Sequence, residues 1–172
     1  MKDRGYFRLL LICLFSCALL SAGCQKSSID DVDDSGSDVV NLSQDGYANC
    51  YIVSTNGYYK FRAVKGNSTD LVTPISSVEV LWESFGTSIT PDYLDLIKGV
   101  DYENGYIAFQ TADTFREGNT VIAAKDASGT ILWSWHIWLT DQPEGQVYYN
   151  NAGTMMDRNL GATSATPGDV GA

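Results

Sequence analysis

Residues 131–140 read ILWSWHIWLT, and the reading of this stretch decides the fold class. Ile131, Trp133, Trp135, Ile137 and Leu139 are large and apolar, and they alternate with Leu132, Ser134, His136, Trp138 and Thr140. A period of two is that of a β-strand with one buried face. Three of the chain's four tryptophans lie here, and burying side chains of this size contributes about 2–3 kcal/mol each. The stretch is expected to be the central strand of a β-sandwich.

Its neighbours follow from turn chemistry. Residues 120–125 form a strand-like run, and Asp126, Ala127, Ser128 and Gly129 offer a turn whose glycine can take a left-handed conformation. Further upstream, Asn104-Gly105 separates residues 100–102 from 106–110, with Ile107 and Phe109 as core candidates. Another pair, Asn56-Gly57, separates residues 49–53 from 58–64 and predicts a second tight hairpin. In the first of these strands Cys50 and Ile52 are expected on the core side. Residues 78–84 should bury Val78, Val80 and Trp82, leaving Glu79 and Glu83 to solvent, too far apart for paired acid–base work. Residues 91–98 read as one helical turn or an irregular crossover. About seven short strands without a long amphipathic helix indicate an all-β, immunoglobulin-like β-sandwich, with a partly open barrel as the alternative.

The N-terminus is not part of this fold. Lys2, Arg4 and Arg8 precede an apolar run over residues 9–20, followed by Ser21, Ala22, Gly23 and Cys24, the pattern of a secretory signal. The sequence before Cys24 resembles the lipobox of bacterial lipoproteins, which implies that Cys24 is acylated and becomes the mature N-terminus. Ser21 stands where leucine is commonest, and simple cleavage after Ala22 or Gly23 is the alternative. The expected organisation is a signal peptide at 1–23, an acidic disordered tether at 24–46, a sandwich at 47–143, and the start of a second, truncated domain at 144–172.

The tether expectation rests on composition: residues 25–45 hold six aspartates and one lysine without an aromatic residue, too little apolar surface to offset chain entropy. Asp31, Asp33, Ser35 and Gly36 match early positions of a calcium loop, but Leu42 stands where the closing glutamate is required. Cleavage before Cys24 removes three basic residues and one acidic residue from totals of 11 and 21, leaving 8 against 20, or about −12. Such a chain is not expected to seek nucleic acid. Cys13 and Cys17 leave with the signal, so Cys50 is the lone thiol of the folded part and an intramolecular disulfide is not expected.

Two resemblances extend the reading. ANCYIV, NGYYKFRAVKGN and FREGNTVIAAKDASGTILWSWHIWLTD resemble the N-terminal region of surface lipoproteins from gut Bacteroidota, and the aspartate run after Gln25 and Lys26 resembles their surface-export signal. Residues 153–168, GTMMDRNLGATSATPG, resemble the opening of the Fibrobacter succinogenes major paralogous domain. The resemblances imply a lipid-anchored outer-membrane protein displayed at the cell surface, with no catalytic residue carried across.

No nucleophile–base motif, metal set or phosphate loop is present, and the sole histidine, His136, reads as structural. No enzyme activity, cofactor or metal is therefore expected. The expected role is adhesion or fimbria-like assembly, with a fimbrial subunit as partner and residues 146–172 as a strand donor. The alternative is a glycan-binding surface in which Trp138, Tyr148 and Tyr149 form a stacking platform while Asn150 or Asn151 reaches sugar hydroxyls.

Overall fold

The computed structural model describes residues 39–168; the expected signal peptide, Cys24, the expected tether through residue 38, and residues 169–172 lie outside the described residues. In chain order the strands are β1 (Val40–Asn41), β2 (Cys50–Val53), β3 (Tyr58–Arg62), β4 (Ser77–Ser84), β5 (Ile97–Glu103), β6 (Tyr106–Thr111), β7 (Gly118–Lys125), β8 (Ile131–Leu139), β9 (Gly145–Val147) and β10 (Thr154–Met156). No helix occurs among the described residues. Two four-stranded sheets, ordered β1-β3-β6-β5 and β2-β8-β7-β4, make the β-sandwich, and β9 and β10 form a separate hairpin.

β8 is internal to its sheet, antiparallel to β7 and parallel to β2. Trp135, Ile137 and Leu139 point into the core as the alternation predicts. They meet Phe61 and Phe109 from the opposite sheet, with the Phe61 and Trp135 rings 5.4 Å apart. The Trp135 Nε1–H donates to Val64 O at 3.0 Å, so the indole is buried without an unpaired donor. Strand β8 overruns the core at its start, where Ile131 is exposed and Trp133 only half-buried.

The two Asn-Gly pairs behave differently. Asn104 and Gly105 take φ of 52° and 81° and close the predicted β5–β6 hairpin. Asn56 does not take a positive φ, and the expected β2–β3 hairpin is absent. Strand β2 joins β8 while β3 joins β6 and β1, so residues 54–57 cross between the sheets.

Three expectations about facing are corrected by pairing. In β2 the core residues are Tyr51 and Val53, whereas Cys50 and Ile52 face outward, because β2 sits opposite Ile137 and Leu139 in parallel register. In β4 an irregularity between Val80 and Trp82 inserts Leu81 and reverses the alternation. Trp82 is consequently 49% exposed. Glu83 turns to the backbone of the other sheet instead of solvent, as described below. Finally, part of the expected tether is ordered: β1 pairs with β3, and Ser43 Oγ accepts from Arg62 N at 2.9 Å. The apolar, β-branched start Val39-Val40 supplies the strand propensity that the aspartate-rich residues before it lack.

Candidate functional site

Strands β4 and β5 are edge strands of opposite sheets, at the same side of the sandwich. The seam between them has two ends. At one end Glu83 reaches across: its carboxylate accepts from Asp95 N, Leu96 N and Ile97 N at 2.9, 3.1 and 2.8 Å. Thr120 Oγ1 donates to the same carboxylate at 3.4 Å. Glu83 thereby satisfies edge amides that a strand would otherwise pair.

At the other end the seam opens into a cleft of about 370 Å³. Val78, Leu94, Val100 and Tyr102 line it, and all four are half-buried side chains at the margin of the core. Tyr93, 70% exposed, stands beside them. Glu79 and Asp101 bring carboxylates to the cleft, and Glu79 pairs with Lys125. Leu94 has φ of 68°, a left-handed conformation that costs a bulky residue about 1 kcal/mol or more. Along this end, residues 77–80 of β4 and 99–103 of β5 pair regularly with their inner neighbours and have no strand on their outer side. The arrangement offers backbone donors and acceptors beside a slot of mixed apolar and polar lining, a setting in which an extended peptide can add.

The sequence-predicted site residues are not brought together. Trp138 is 0% exposed and is no stacking platform. It lies on the outer face of β8, but the segment after β10 folds back over that face, and Trp138 Nε1–H donates to Ala162 O at 3.1 Å. Arg158, braced by its neighbour Asp157, ties this strap down through Asp141 and Thr140. The charge network raises the guanidinium pKa and holds both carboxyls below the usual range, chiefly through their hydrogen bonds to Arg158. Tyr148, Tyr149 and Asn150 sit instead on the β9–β10 hairpin, with Asn151 in its turn at φ of 55°. Tyr149 is 98% exposed. Tyr148 O–H donates to Met155 Sδ, and Asn150 Oδ1 accepts from Ala152 N, so both are partly engaged within the hairpin.

The same outer face carries a polar chain unseen in the sequence. In the β2–β8 register Cys50 lies opposite His136, and Asn119 of β7 lies beside them. Cys50 Sγ is 3.2 Å from His136 Nδ1, and His136 Nε2 is 2.8 Å from Asn119 Oδ1. Burial pushes the Cys50 thiol up to about 11 and lowers the imidazole below its usual value, so both are neutral at pH 7. The residues sequence reading missed, Tyr93, Leu94 and Tyr102 at the cleft and the Cys50–His136 pair, depend on strand neighbours that local patterns do not specify. Only the period-two register of β2 against β8 could have hinted at the last.

Among the described residues no three His, Cys, Asp or Glu side chains gather as a metal set, and no helix is long and apolar enough to cross a membrane. No family model, no curated protein and no solved structure matches this chain.

Proposed function

We propose that this chain is a non-enzymatic, lipid-anchored protein of the outer-membrane surface that works in adhesion or fimbria-like assembly. Cys24 carries the lipid, and the sandwich joins copies through the open end of the β4–β5 seam. The observation that carries this reading is the pairing of a cleft with an apolar side, formed by Val78, Leu94, Val100 and Tyr102, with two unpaired strand edges.

The occupant is the β9–β10 hairpin of a second copy. Val147, Tyr149, Met155 and Met156 are exposed there, and residues 145–156 include no charged side chain. In a chain of net charge −10, a neutral segment is where copies meet with least repulsion. Donor and acceptor are different surfaces, so the contact is head-to-tail and extends into filaments unless it closes into a ring.

The test is the mass of the protein by light scattering over a concentration series, for the parent chain and for Val147→Asp with Tyr149→Ser. The reading predicts concentration-dependent oligomers for the parent and monomers for the double variant, with equal thermal stability. A parent that stays monomeric throughout would overturn it.

A glycan-binding role is the second reading, favoured by the free Tyr149 ring beside Asn150. It rests on the hairpin alone, since Trp138 is covered. Loss of sugar binding in Tyr149→Ala, with oligomers intact, would favour it over assembly.

A further inference from the structure

Three adjacent strands align one hydrogen-bonded chain on the outer face of the second sheet: Cys50 on β2, His136 on β8 and Asn119 on β7. The network assigns its protons. Asn119 Nδ2–H donates to Gly161 O at 2.8 Å, which turns Asn119 Oδ1 toward His136. His136 Nε2 therefore carries the ring proton and donates it to that oxygen. This leaves Nδ1 with a lone pair aimed at Cys50 Sγ, ready to accept the thiol proton. A thiol, an imidazole that can take its proton and an amide that fixes the imidazole tautomer are the components of an activated sulfur nucleophile.

The strap covers the Asn119 and His136 end of this hydrogen-bonded chain. Gly161 lies against the imidazole: a Cβ built on it would be 3.8 Å from His136 Cε1 and 3.1 Å from Asn119 Oδ1. Gly161 has φ of 87°, so glycine suits both the turn and the close approach. Under this cover proton transfer from sulfur to nitrogen would create an ion pair in half-buried surroundings, which is less favourable than one in water. With the strap lifted, water reaches the ring and the imidazolium–thiolate state becomes accessible.

We propose that Cys50 is a strap-gated modification site for small disulfides, with His136 as its base. The cysteine thiol gives its proton to His136 Nδ1, and the sulfur attacks one sulfur of the disulfide. The disulfide S–S bond breaks, a Cys50 mixed disulfide forms, and the departing thiolate takes the proton from Nδ1. The step consumes one small disulfide and releases one small thiol, with no other oxidant. It is stoichiometric, and it is independent of the assembly reading.

The experiment uses the full chain with Cys13, Cys17 and Cys24 replaced by serine, so that Cys50 is the lone thiol. Dipyridyl disulfide is the probe, and released thiopyridone gives the rate. Arg158→Ala frees the strap by removing its ties to Asp141 and Thr140. At about pH 7 this variant should react about tenfold or more faster than the parent. Adding His136→Gln to Arg158→Ala should return the rate about tenfold toward the parent at pH 7. At about pH 9, where a solvated thiol ionises unaided, the two variants should react alike. Hydrogen exchange over residues 157–163 checks that the strap has opened; where it has not, truncation after Met156 replaces Arg158→Ala. The proposal is overturned if strap-opened protein reacts no faster than the parent, or if His136→Gln leaves its rate at pH 7 unchanged.

Discussion

Strand β8 buries a tryptophan on each of its faces, and the two covers differ in kind. Trp135 and Trp138 are 1% and 0% exposed. Trp135 is held between sheets, among Phe61 and the rest of the aromatic core. Trp138 is on the far side, under a strap of irregular chain fixed by a carbonyl contact and by Arg158. Equal burial therefore does not mean equal coupling to the fold. The sandwich core is shared by both sheets and is expected to open only with the whole domain, and the strap to lift while the sheets stay paired.

Trp135→Ala should have the largest effect. A cavity at the inter-sheet contact should cost about 3–5 kcal/mol, read as a lower midpoint in urea with one cooperative transition. Trp138→Ala should cost less, about 1–3 kcal/mol, because the strap can collapse or detach. Hydrogen exchange should rise over residues 157–163 and remain unchanged in β3 and β6. Equal losses in the two variants, with the same spread of exchange, would show that strap and sandwich unfold as one unit.

Glu83→Gln addresses the seam. It preserves shape but replaces a carboxylate that accepts from three backbone amides, so stability should fall by about 1–2 kcal/mol. Exchange should quicken at the start of β5 and leave the strap alone. An unchanged midpoint would mean that the seam does not need its charged bridge.

Acid should affect the strap before the core. Burial lowers the His136 pKa, so below about pH 6.5 the unfolded chain binds a proton that the folded chain excludes, and stability falls as pH drops toward the folded value. Asp141 and Asp157 are held low beside Arg158. Their contribution is present above the ordinary carboxylate value of about 4 and is lost as pH falls through their folded values. The resulting decline should be small, seen first as exchange at residues 157–163, and absent from that segment in Arg158→Ala below about pH 4.

The comparison also explains what was legible in the sequence. The inward faces of β6 and β8 followed from alternation, because Ile107, Phe109, Trp135 and Ile137 alternate with smaller or more polar residues over long strands. The hairpins at Asn104-Gly105 and Asp126–Gly129 followed from local backbone preference. Asn56-Gly57 misled because the same dipeptide can serve a crossover, and the choice is made by distant pairing. Strand β2 misled because both of its alternations, Cys50 with Ile52 and Tyr51 with Val53, are apolar enough for a core. The Leu81 insertion left no local mark. Trp138 obeyed the alternation by facing outward, but its cover arrives from residues about twenty positions downstream with no periodicity of their own. The cleft was illegible for a related reason: β4 and β5 become neighbouring edges only once both sheet orders are set.

The most direct measurement of the assembly reading is photo-crosslinking from the hairpin. A benzophenone side chain replaces Tyr149, and light and heavy-isotope chains are mixed so that crosslinks between copies are distinguished by mass. The account predicts crosslinks between copies from position 149 to residues 76–79 or 99–102, at the open end of the seam, with none to the Glu83 end. Crosslinks confined within one chain, or spread over unrelated surfaces, would contradict it.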